Sequence, residues 1–199
     1  SALLTAFTTH VTTDVASAPL LWVIPLALYL LTFVFVFRDK PMIMVPVGLI
    51  VACLAYAVLS ILNQRGGGGS GEFTTLLAAV AGGVFMFLHY QGKIGDRDGL
   101  LWTHLATIIA AMYFVSHLRG GGWFVSAAVG CAAFVASAMV AHRTLYETRP
   151  GAKHLTEFYL WLSLGGVLGG LFAGLIAPQI FKEIYEYPLL IALTMACRP

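Results

Sequence analysis

The sequence predicts an all-α fold, a polytopic transmembrane helical bundle of about seven spans, on three observations. Of the 199 residues, 59% are apolar and 10% charged, and the mean hydropathy is +0.87; an average soluble domain carries roughly 25% charged residues. The apolar residues fall into runs bounded by charged or turn residues, close to the ~20 residues a helix needs to cross a hydrocarbon core ~30 Å thick. Lys and Arg gather in alternate connections, the bias that orients helical membrane proteins. An ordinary soluble domain is excluded, and a net charge of +2 gives no sign of nucleic acid as a partner.

Residues 1–18, SALLTAFTTHVTTDVASA, are apolar but interrupted by Thr9, His10, Thr12, Thr13 and Asp14. They fit a partial helix, a re-entrant segment or an interfacial stretch. Residues 19–199 form the bundle, with spans near 19–37, 41–63, 74–92, 100–118, 121–141, 156–178 and 187–197. The last is too short to cross alone and reads as a truncated or partly inserted helix. Without an initiator Met or a basic region before the first apolar run, the chain reads as cut at its N-terminus. Residues 66–73, GGGGSGEF, have the composition of an artificial flexible linker, with Glu72-Phe73 as a cloning scar. They lack the following Lys-Ser/Thr of a phosphate-binding loop.

If the spans alternate, one side receives Arg38, Lys40, Lys93, Arg97, Arg143, Arg149, Lys153 and Arg198, and the other Arg65, Arg119 and Lys182. Eight against three places the first side, and the C-terminus, in the cytoplasm. Trp22, Trp102, Trp123 and Tyr187 fall near span ends, where amphipathic rings favour the headgroup region. Pro25, Pro46 and Pro178 lie in or beside spans, where a missing N–H kinks a helix.

The densest local pattern is LSLGGVLGGLFAGL, in which Gly165, Gly166, Gly169, Gly170 and Gly174 make overlapping small-xxx-small pairs. Such pairs let two backbones approach closely where lipid supplies no hydrophobic drive. They predict a helix packed in the bundle centre or against another membrane subunit, with a substrate path as the other use. Cys53, Cys131 and Cys197 lie in apolar runs without metal-ligand spacing and read as packing residues.

Ionisable residues at depth in a span are expensive and count first as functional candidates. His10 and Asp14 stand at i, i+4 on one helical face among threonines, which suits either a polar cavity or an interfacial helix. His142, His154 and Glu157 group around the turn ETRPGAKHLTEF, where His154 or Thr156 suits a cap and Glu157 the helix dipole. Tyr159 and Trp161 add ring faces that attract ammonium. His89, His104 and His117 raise b-type haem as a weaker reading, because His104 and His117, 13 residues apart, fall on different faces at about 100° per residue. No catalytic motif is present, and neither a metal site nor a cofactor is predicted.

TTDVASAPLLWVIPLALYLLTFVFVF at 12–37 and RPGAKHLTEFYLWLSLGGVLGGLFAGLIAPQIF at 149–181, followed by EYPLLIALTMACRP, carry a resemblance. They resemble the membrane portion of bacterial proteins in which a multi-helix, transporter-like region is fused to a C-terminal spermidine synthase-like domain. The resemblance implies a multi-pass protein of the bacterial inner membrane, truncated at both ends and non-catalytic without the aminopropyltransferase-like domain. Scaffolding or transport of a small molecule such as a polyamine is the implied role. An accessory subunit packed into a larger membrane complex is the alternative. For a cationic polyamine the candidate groups are His10, Asp14, Glu157, Tyr159 and Trp161.

Overall fold

The computed structural model describes residues 2–10, 23–38, 42–66, 71–117, 123–181, 186–194 and 196. These are helical apart from short turns, and no strand occurs among the described residues. In chain order the helices are α1 (Ala2–His10), α2 (Val23–Phe37), α3 (Met44–Gly66), α4 (Gly71–Tyr90), α5 (Asp96–His117), α6 (Trp123–Glu147), α7 (Leu155–Leu171), α8 (Ala177–Ile180) and α9 (Glu186–Thr194). A 3-10 turn, Ala152–His154, leads into α7, and a π turn, Phe172–Ile176, joins α7 to α8.

Three stretches are long and apolar enough to cross a membrane: Met44–Leu62, Ala127–Glu147 and Ala152–Ile180. At 1.5 Å per residue they reach about 28, 31 and 43 Å, against a hydrocarbon core of ~30 Å. Val23–Phe37 and Thr74–Tyr90 are shorter apolar helices. Of the stretch read as an artificial linker, Gly66 closes α3 and Gly71–Phe73 open α4, and residues 67–70 lie outside the described residues.

The chain divides into two compact units, residues 1–37 with 137–199 and residues 38–136, the division falling within α6. In the second unit α3 packs along α4 and also meets α5. The α3–α4 crossing is made by small residues: a Cβ placed on Gly82 would stand 2.9 Å from the Ala52 Cβ and 2.9 Å from the Gly48 carbonyl oxygen. A Cβ on Gly48 would come within 2.8 Å of Cγ and Sδ of Met86. Ile50 packs with Ala132 and Ala136 of α6, flanked by Cys53, Leu54 and Val135.

The turn from α4 to α5 is fixed by backbone geometry. Gly92 has φ +71, a left-handed value that glycine adopts without steric penalty. Its N–H donates to the His89 carbonyl at 2.8 Å, and the Lys93 N–H donates to the Leu88 carbonyl at 3.1 Å. This pairing satisfies carbonyls that the end of a helix leaves open. Asp96 and Asp98 then sit in the first turn of α5, where the helix dipole favours negative charge.

In the first unit α1 lies against α2, α7, the π turn and α9, with Ala6 and Phe7 buried. The π turn has a local cause. Pro178 has no N–H to offer the Gly174 carbonyl four residues earlier, and its ring crowds that oxygen, so the helix widens by one residue just before it. Pro46 causes no such break, because it sits in the first turn of α3, where the N–H would be unused.

Candidate functional site

The end of α6 differs from the sequence reading in a way that changes the chemistry. The sequence ends the span at residue 141, ahead of His142 and Arg143. Helix α6 instead runs on to Glu147, because no Gly or Pro interrupts AHRTLYE and Arg143 pairs with Glu147 one turn later. His142 is therefore carried inside the helix, where it is only 3% exposed.

Its surroundings come from α2. The Thr32 hydroxyl stands 3.2 Å from His142 Nδ1. The Tyr29 and Phe33 rings meet the imidazole edge to face, with centroids 4.9 and 5.2 Å away. Tyr29, Thr32 and Phe33 share one face of α2 because residues three and four apart are helical neighbours. One turn further along, Phe33 stacks on Phe37 at 4.1 Å, and Phe37 meets Tyr146 edge to face at 5.5 Å. Aromatic contacts of this kind add roughly 0.5–1.5 kcal/mol each beyond the area they bury. They hold α2 and the last turns of α6 in register around a single polar pair. In the same unit, the Thr194 hydroxyl of α9 reaches Ser137 of α6 at 3.5 Å.

Of the residues expected from sequence, Glu157, Tyr159 and Trp161 are described in full and all three lie on α7. Glu157 lies in the first turn of α7 with its side chain 68% exposed, 3.9 Å from Nδ1 of an equally open His154. No side-chain hydrogen bond caps α7, so the capping role considered for His154 and Thr156 is not taken up. Tyr159 and Trp161 are exposed on α7, the former in ring contact with its neighbour Phe158. His10 closes α1, while its side chain and the whole of Asp14 lie outside the described residues. His142 is buried and His154 and Glu157 are not, although the sequence grouped the three.

Around the α7 glycines, a Cβ placed at Gly165, Gly166, Gly170 or Gly174 would meet nothing within 4 Å. An added methyl would find room at these four positions; Gly165 and Gly174 are exposed, while Gly166, Gly169 and Gly170 are half-buried on a helix that lies against α1. Of the histidines weighed for haem, His89 has Nδ1 2.9 Å from the Ile94 carbonyl and Nε2 3.4 Å from Asp96, so both ring nitrogens already face acceptors at the α4–α5 turn. His104 is buried on α5, and the side chain of His117 lies outside the described residues. No group of three or more His, Cys, Asp or Glu that could hold a metal occurs among the described residues.

Sequence reasoning missed Thr32, Tyr29 and Phe33. A single threonine in the otherwise apolar run VIPLALYLLTFVFVF, one turn from a tyrosine, was the available signal. No family model, curated protein or solved structure matches the chain.

Proposed function

We propose that the chain is a multi-pass module of the bacterial inner membrane that handles a small solute, with its C-terminus cytoplasmic and no catalysis of its own. The observation that carries this reading is His142, a titratable ring buried in a span against the Thr32 hydroxyl and two aromatic rings. An ionisable group at such depth is expensive and counts first as a functional candidate. In the setting the sequence resembles, the module precedes a soluble spermidine synthase-like domain, and a polyamine is the first solute to test. The aromatic faces of Tyr29 and Phe33 suit an ammonium group.

The test is uptake of labelled spermidine into proteoliposomes containing the purified chain. Wild-type uptake above that of empty liposomes is expected, as is a loss of about tenfold or more in His142→Phe, the worth of one buried hydrogen bond to a polar ring. Asp14→Asn and Glu157→Gln ask whether the residues expected from sequence share in the path. Uptake no higher than in empty liposomes overturns the reading for this solute.

An accessory subunit of a larger membrane complex is the second reading, favoured by α7. Little of the stretch Ala152–Ile180 is buried, and its exposed side chains include Trp161, Leu164, Val167 and Leu168. Cross-linking from a Leu168→Cys variant in native membranes captures a neighbouring subunit if this reading holds and lipid alone if it does not.

A further inference from the structure

The Thr32 hydroxyl carries one proton, and two groups stand within hydrogen-bonding distance of its oxygen. One is the Tyr29 carbonyl of the same helix at 2.7 Å, and the other is His142 Nδ1 at 3.2 Å. A carbonyl oxygen only accepts, so the hydroxyl must donate to Tyr29. What remains toward the ring is an oxygen lone pair, and a contact at 3.2 Å is then a hydrogen bond only if Nδ1 bears the hydrogen and donates. In a neutral imidazole one nitrogen donates and the other accepts, so fixing Nδ1 as the donor leaves Nε2 with the ring's in-plane lone pair.

We infer that Thr32 is a positioning residue that sets His142 in its Nδ1–H tautomer, making Nε2 the hydrogen-bond acceptor of this centre and specifying a ligand that donates an N–H. The ligand class rests on the reading of the centre as a solute site; the tautomer does not. The groups of α2 that face His142 are the Thr32 hydroxyl and the Tyr29 and Phe33 rings. A small ammonium or amine suits this arrangement, because its N–H reaches a lone pair while its charge meets the aromatic rings. An anion would meet the same lone pair as repulsion.

The tautomer is directly visible. The full chain, labelled with nitrogen-15 histidine and held in lipid nanodiscs, is expected to show His142 with a pyrrole-type Nδ1 and a pyridine-type Nε2, assigned by their loss in His142→Asn. Thr32→Ser keeps the hydroxyl and should preserve this pattern. Thr32→Val removes the acceptor and should shift the ring toward the Nε2–H form, a change that loss of packing alone does not produce. Titration with methylammonium is then expected to move the Nε2 resonance in wild type and to move it less in Thr32→Val.

A wild-type ring in the Nε2–H form overturns the inference, and so does a Thr32→Val spectrum identical to wild type. A methylammonium titration that leaves Nε2 unmoved overturns the ligand class. Failed spermidine uptake with the expected tautomer and methylammonium response would remove the transport reading and leave this one standing.

Discussion

The α3–α4 crossing and helix α7 are both rich in glycine, and they use it in opposite ways. On α3, Gly48 and Ala52 stand four residues apart and receive Gly82 of α4 so closely that a Cβ on Gly82 would stand 2.9 Å from the Gly48 carbonyl oxygen and 2.9 Å from the Ala52 Cβ. On α7, Gly165, Gly170 and Gly174 face space in which an added Cβ meets nothing within 4 Å. The difference teaches that a small-xxx-small pattern is a permission and not a cause. Close approach needs a matching surface on a second helix, and α3 and α4 supply one for each other.

Enlarging Gly82 is the strongest way to break that crossing. Gly82→Leu must displace Ala52 and the Gly48 carbonyl together, neither of which is the end of a flexible side chain. A loss of about 3 kcal/mol or more is expected, at or beyond the upper end of overpacking. Titration of helicity with SDS in mixed micelles checks it, and a variant as stable as wild type would show that α3 and α4 do not cross there. Gly82→Ala brings the same clash with a single methyl and should cost about 1–3 kcal/mol.

Gly48→Ala separates crowding from rigidity. Its Cβ would meet Met86 at 2.8 Å, but methionine is unbranched and repacks readily, so the cost should stay below that of Gly82→Ala, at about 1 kcal/mol or less. A larger loss than for Gly82→Ala reverses this ranking. Gly92→Ala tests the turn that follows α4: φ +71 forces a Cβ into the left-handed region, at a cost of about 1–2 kcal/mol. The same titration reads it, and an unchanged midpoint would mean that the turn relaxes to negative φ.

How much of this was legible in the sequence follows from what each signal depends on. The helical class and the long apolar spans depend on local composition, and Met44–Leu62, Ala127–Glu147 and Ala152–Ile180 are recognisable from it. The glycines of α7 were legible as a pattern, but whether a pattern is occupied depends on what lies opposite, which no single helix encodes. Gly48, Ala52, Ala78 and Gly82 were less visible because they sit in general apolar runs, with Leu49 and Ile50 between the first two and Val80 between the last two. His142 was drawn to the surface by its charged neighbour Arg143, whose pairing with Glu147 in fact lets the helix continue. The Thr32–His142 pair spans 110 positions, and nothing local in either helix announces the other.

The smallest effect bears most directly on the comparison. Gly165→Ala adds a methyl where nothing lies within 4 Å and replaces the weaker helix former in a helix interior, a change worth up to about 1 kcal/mol in favour of the helix. In detergent, with the purified chain alone, the SDS midpoint should therefore hold or rise slightly, the opposite sign to Gly82→Ala. A falling midpoint would mean that the α7 face is packed within the chain after all. Gly165→Leu repeats the comparison in native membranes. If its SDS midpoint holds in detergent but the Leu168→Cys cross-link to a neighbouring subunit disappears from membranes, the glycine face belongs to another protein. If lipid is all that cross-links to wild type, the open face of α7 belongs to lipid, and the contrast with α3 and α4 is between glycines that seat a helix and glycines that seat none.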